Sequence, residues 1–85
     1  MTIFTSDFQT YSAVTSELLV DRVSDNVFDI KQVNALRYDA QEQFISNVIP
    51  KLTLIDHNTT NKTHITVTFE EGQLQVGDKF KVELN

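Results

Sequence analysis

The chain has no cysteine, two glycines and one proline in 85 residues. Without cysteine there is no disulfide framework and no thiolate metal site, so the core must hold by packing alone. Two isolated glycines leave no glycine-rich loop to cradle a phosphate and no nucleophile-elbow pattern around a serine. Bases are also scarce: seven Lys and Arg stand against twelve Asp and Glu, for a net charge of −5. No run of Lys and Arg could neutralise several phosphates, which argues against direct nucleic-acid binding and against an anionic membrane surface as partner. The first residues, MTIFTSDFQ, lack the basic flank and apolar run of a signal peptide. No stretch approaches the about 18 consecutive apolar residues of a membrane span. A soluble chain is therefore expected, cytoplasmic, or inside a virion or host cell if phage encoded.

What is present is globular in composition. Hydrophobic residues make up 40% of the chain, enough for one compact domain over residues 1–85 and too few residues for a second core. The acids are unevenly placed. Residues 1–49 hold seven acids and three bases, residues 50–85 five acids and four bases, so the acidity belongs to the first half.

That first half has helical spacing. Ser6 with Gln9 three residues later forms a capping-box pattern, and Phe8, Tyr11, Val14, Leu18, Leu19 and Val23 then share one helical face. A helix is expected from Ser6 to about Ser24, followed by a turn at Asp25-Asn26. A second, longer helix is predicted over Asp29 to Ile49. Asp29 would cap it, Phe28 and Val33 would form a hydrophobic staple, and Pro50 would end it. Its apolar face would carry Ile30, Val33, Leu36, Ala40, Phe44, Ile45 and Val48, with two polar residues, Arg37 and Gln41, in the same sector.

After Pro50 the period changes to two. Leu52 and Leu54 alternate with Lys51 and Thr53, predicting a short strand over residues 51–55. Ile65, Val67 and Phe69 alternate with His64, Thr66 and Thr68, the strongest strand signal in the chain. A two-residue turn at Glu71-Gly72 would place Phe69 opposite Leu74 and Val67 opposite Val76. An odd loop or bulge near Gly77-Asp78 would then set Val76 opposite Phe80 and Leu74 opposite Val82. The expected fold is α+β: two N-terminal helices packed on a small antiparallel sheet of three or four strands, in the order ααββββ. The helical half would be residues 1–49 and the sheet half residues 50–85. A bent sheet approaching a barrel, with its corner at Val76-Gly77-Asp78, is the alternative.

Catalytic chemistry is hard to assemble from these residues. His57 and His64 match no metal-ligand spacing and read as surface histidines. Twelve scattered acids give no distinguishable acid–base pair. No catalytic residue, metal ligand or cofactor is expected. Two constellations remain. Arg22, Arg37, Tyr38 and Gln41 on otherwise apolar helical faces would suit a protein partner, although a long Arg stem can equally lie along apolar surface and pair with an acid such as Asp7 or Asp21. Glu17, Asp21, Asp25, Asp39 and Glu42 would form an acidic patch. The leading expectation is a small non-enzymatic protein-interaction domain, a subunit of a larger assembly or a binder of one protein partner, with self-association included. Small phage and mobile-element proteins are often of this kind. The alternative is an acidic inhibitor that occupies the nucleic-acid-binding groove of a target protein.

Overall fold

The computed structural model describes residues 2–21, 30–57 and 62–85, with Asp21 described in its backbone alone. These residues contain no helix. The α+β expectation is corrected to an all-β fold: both predicted helices, the helical half at 1–49 and the order ααββββ are replaced by strands. Eight follow in chain order: β1 Phe4–Thr5, β2 Gln9–Thr10, β3 Thr15–Asp21, β4 Val33–Tyr38, β5 Phe44–Val48, β6 Leu52–Asp56, β7 Lys62–Thr68 and β8 Lys79–Leu84. The predicted strands at 51–55 and 64–69 correspond to β6 and β7, and the last strand to β8.

Two antiparallel sheets result. The five-stranded sheet runs β1-β8-β4-β5, with β2 also on β8; the three-stranded sheet runs β3-β7-β6. Alternation decides which faces meet. In β8, Phe80, Val82 and Leu84 are buried while Lys79, Lys81 and Glu83 are half-buried. Across the interior, Thr63, Ile65 and Val67 of β7 are buried in the same two-residue rhythm. Phe69 and Phe80 meet edge to face with centroids 5.1 Å apart, and Tyr11 meets Phe69 at 5.9 Å. The two inner faces thus share one buried cluster, in a sandwich with principal extents of 33 × 21 × 18 Å.

One side of the sandwich is closed by a strand that changes sheets. Gln9 and Thr10 pair with β8. Tyr11 N–H then donates to the Asp78 carbonyl (2.8 Å), the Tyr11 carbonyl accepts from Gly77 N–H (3.2 Å), and Phe69 N–H donates to the Val14 carbonyl (2.7 Å). From Thr15 the chain pairs with β7. Backbone groups thus stay satisfied through the corner. A helix was expected here because Phe8, Tyr11, Val14 and Leu18 fall at helical spacing, but the spacing arises from an irregular edge. Phe4 pairs with Leu84 and Gln9 with Phe80, so the strand gains one residue between them, a β-bulge. Ser6 holds it: its N–H donates to the Val82 carbonyl at 2.8 Å, and its Oγ accepts from Val82 N–H at 2.8 Å. The hydroxyl read as a helix cap therefore serves a strand.

The second predicted helix is a hairpin. β4 and β5 are antiparallel, with an extra residue, Ile45, between the pairs Arg37↔Ser46 and Tyr38↔Phe44. The loop between them is held by Asp39. Its N–H donates to the Gln43 carbonyl (3.0 Å), its carbonyl accepts from Glu42 N–H (3.0 Å), and its Oδ1 accepts from the amides of Gln41 (2.9 Å) and Gln43 (3.0 Å). Glu42 takes the left-handed position with φ of 65°, where glycine or asparagine is usual. A β-turn with neither residue gives little warning in sequence.

The predicted strand at 73–76 is also corrected. Glu70 to Gln73 and Gln75 to Asp78 are two β-turns, closed by Gln73 N–H to Glu70 O (3.1 Å) and Asp78 N–H to Gln75 O (2.9 Å). Gly72 (φ 91°) and Gly77 (φ 96°) take their third positions, where positive φ is required. Turns of this hand splay strands rather than join a hairpin. β7 and β8 accordingly belong to different sheets, and Phe69 and Val67 do not face Leu74 and Val76.

Candidate interaction surface

The expected site residues do not share one surface. Arg37 lies on the inner face of β4, paired across the sheet with Phe80. Its Nε donates to Asp78 Oδ2 (2.9 Å) and its Nη2 forms an ion pair with the same oxygen (2.8 Å), which also accepts from Gln75 N–H at 2.9 Å. The two side chains are 22% and 14% exposed. Arg37 is thus paired within the fold, though with Asp78 rather than Asp7 or Asp21, and the pair ties the turn before β8 to β4. Tyr38 points to the opposite face. Gln41 is exposed at the tip of the β4–β5 hairpin. Arg22 lies outside the described residues.

The acids are likewise divided. Glu17 is on β3 in the three-stranded sheet, with its Oε1 3.7 Å from Nε2 of His64. Asp39 organises the hairpin loop of the other sheet, and Glu42 beside it lies 3.8 Å from Lys79 Nζ. Asp25 lies outside the described residues, as does the side chain of Asp21. No group of three His, Cys, Asp or Glu gathers to hold a metal among the described residues. His57 Nδ1 is 2.7 Å from Thr63 Oγ1. No helix among the described residues is long and apolar enough to cross a membrane.

The two outer faces of the sandwich differ sharply. On the five-stranded sheet, Phe8, Tyr38 and Phe44 form an aromatic row with centroids 4.8 and 5.6 Å apart. Lys81 Nζ stands 4.4 Å from the centre of the Phe8 ring and 6.0 Å from that of Tyr38. The rings there engage a cation and one another.

The three-stranded sheet carries leucines instead. Pairing across its three strands builds rows of Leu52, Thr68 and Thr15, then Leu54, Thr66 and Glu17, then Asp56, His64 and Leu19. Leu52, Leu54 and Leu19 are 51%, 57% and 60% exposed. A shallow open depression of about 430 Å³ lies along β3, lined by Glu17, Leu18, Leu19 and His64. Sequence reasoning placed Leu52 and Leu54 on a short strand without assigning them an exposed face. In the fold Thr53, opposite buried Val67, faces inward, while the two leucines face out. The available signal was Ile55, which makes the strand apolar on both faces.

Comparison with known protein families, curated proteins and solved structures gives no match.

Proposed function

We propose that this chain is a small non-enzymatic interaction domain that binds a protein through the outer face of its three-stranded sheet. The observation that carries the reading is the exposure of Leu19, Leu52 and Leu54 on one face of a sheet whose other face supplies Val20, Ile65 and Val67 to the core. Each leucine left half in water forgoes about 1 kcal/mol that burial would supply. Exposed leucines on one sheet face, set among threonines and a few charged residues, are what a partner chain covers. The chemistry of the depression beside it supports a binding role: one imidazole and one carboxylate at 3.7 Å, with Leu18 and Leu19 as the remaining lining and no nucleophile among the four.

The test is the size at which the chain migrates in extracts of the cells that produce it. The native chain is expected in a species larger than 9.7 kDa. A variant with Leu19→Lys, Leu52→Lys and Leu54→Lys is expected at monomer size with its thermal unfolding unchanged. A complex that survives all three lysines would refute the reading.

A further inference from the structure

Among the described residues, the four strand edges of the sandwich are not alike. The β1–β2 edge is bent by the bulge at Ser6–Phe8. β5 is bent by the extra residue Ile45. β3 carries Glu17 in its middle and ends at Asp21. Bulges and charges of this kind prevent a foreign strand from adding to an edge. β6 has neither a bulge nor a charge before its last residue, Asp56. Its residues Leu52, Thr53, Leu54 and Ile55 are uncharged and pair one to one with β7 without interruption. Among the described residues β6 pairs with β7 alone.

We propose that β6 pairs with β6 of a second copy of this chain, joining two three-stranded sheets into one continuous six-stranded sheet; this rests on the interaction reading above and names the partner. The strand's own chemistry selects a second copy in antiparallel orientation. Lys51 precedes the apolar run and Asp56 closes it. Antiparallel pairing holds the two Lys51 residues apart and the two Asp56 residues apart, at opposite ends of the joint, whereas parallel pairing would set like charges together. The pairing must also keep both leucine sets on the outer face, since a one-residue slip would turn one set inward. Placing Thr53 on the twofold axis satisfies this: Leu52 of each copy then faces Leu54 of the other, and Ile55 lies against the aliphatic stem of Lys51. Shifting the axis to Leu54 would set each Leu52 against Asp56.

The chain has no cysteine, so Thr53→Cys introduces a single thiol at the proposed axis. Directly opposed antiparallel residues have Cα atoms about 4.5–5.5 Å apart, within the span of a disulfide at about 4.4–6.8 Å. Mild oxidation of Thr53→Cys is expected to give covalent dimer at least tenfold faster than Asn47→Cys, an exposed control on β5. Adding Leu52→Lys and Leu54→Lys should reduce the Thr53→Cys rate to that of the control. Equal rates for the two single thiols, or no effect of the lysines, would overturn the proposal. Sedimentation of the unmodified chain guards against a misfolded variant: a mass rising from 9.7 kDa towards twice that value with concentration supports self-pairing, and a monomer up to millimolar concentration overturns it. If the unmodified chain stays monomeric while the lysine-sensitive complex in cells contains only a foreign chain, self-pairing fails and the interaction reading stands.

Discussion

The two sheets treat their outer faces and edges in opposite ways. The five-stranded sheet carries the aromatic row Phe8, Tyr38 and Phe44 beside Lys81 on its outer face, with Phe44 itself exposed, and both of its edges are interrupted by an extra residue. The three-stranded sheet leaves leucines on its outer face and one edge, β6, that is regular and charged only at its last residue, Asp56. Both draw on the same buried cluster, so the difference does not arise from a shortage of core. Two edges are interrupted and β3 carries Glu17, which leaves β6 as the edge at which association is proposed.

The contrast can be broken at its apolar residues first. Phe80 is fully buried and meets Phe69 edge to face; Phe80→Ala should cost about 4 kcal/mol in denaturant unfolding. It should remain a single transition, because both sheets depend on that ring. Leu54→Ala on the open face should cost under about 0.5 kcal/mol in the monomer. Similar losses for the two would mean that Leu54 is a core residue and that the open face is misassigned. Asp78 comes next. It accepts hydrogen bonds from Arg37 Nε and Gln75 N–H and forms an ion pair with Arg37, and Asp78→Ala should cost about 2 kcal/mol. Arg37→Ala should cost a similar amount, and the double variant much less than the sum, since both changes remove one interaction.

The devices on the guarded edge are smaller. Ser6→Ala leaves the buried Val82 amide without its acceptor and should cost about 1.5 kcal/mol while leaving self-association through β6 unchanged. A Ser6→Ala variant that gains a new dimer through β1–β2 would sharpen the comparison further, by showing that the bulge itself keeps that edge closed. The smallest effect runs the other way. Glu42→Gly relieves a left-handed non-glycine residue and should stabilise by about 0.5–1 kcal/mol, read as an increase in the denaturation midpoint at constant slope.

The parts of the fold visible in sequence were those with undisturbed alternation. β7 alternates cleanly because one face is core and the other polar, and β8 does so for the same reason. β4 and β5 were hidden because each is apolar on both faces. Val33 and Ala35 face the core, while Leu36 and Tyr38 belong to the other face with the aromatic row, and Phe44 lies opposite Tyr38. Two interleaved apolar sets imitate a helical period. The turn that would have separated them, Asp39 to Gln43, uses a side-chain cap and Glu42 at φ 65° in place of glycine. In the first twenty residues the bulge at Ser6–Phe8 and the corner at 11–14 break the two-residue rhythm, leaving Thr5, Thr10 and Thr15 as the better strand signal. The site suffered from the same confusion. Arg37 stood out as a charge among apolar residues, and it is: its partner, Asp78, lies 41 residues away, beyond the reach of any local pattern. Leu52 and Leu54 have strand spacing, and only the register with β7 turns them outward.

The central claim is that β6 is the edge at which this chain associates. Residue-by-residue amide hydrogen exchange across a hundredfold dilution tests it directly. The account expects the amides of 52–56 that point away from β7 to be protected at high concentration and to lose that protection on dilution, while those of 44–48 on the bulged edge do not change. Exchange at 52–56 that is independent of concentration, or protection appearing at 44–48 instead, would contradict it.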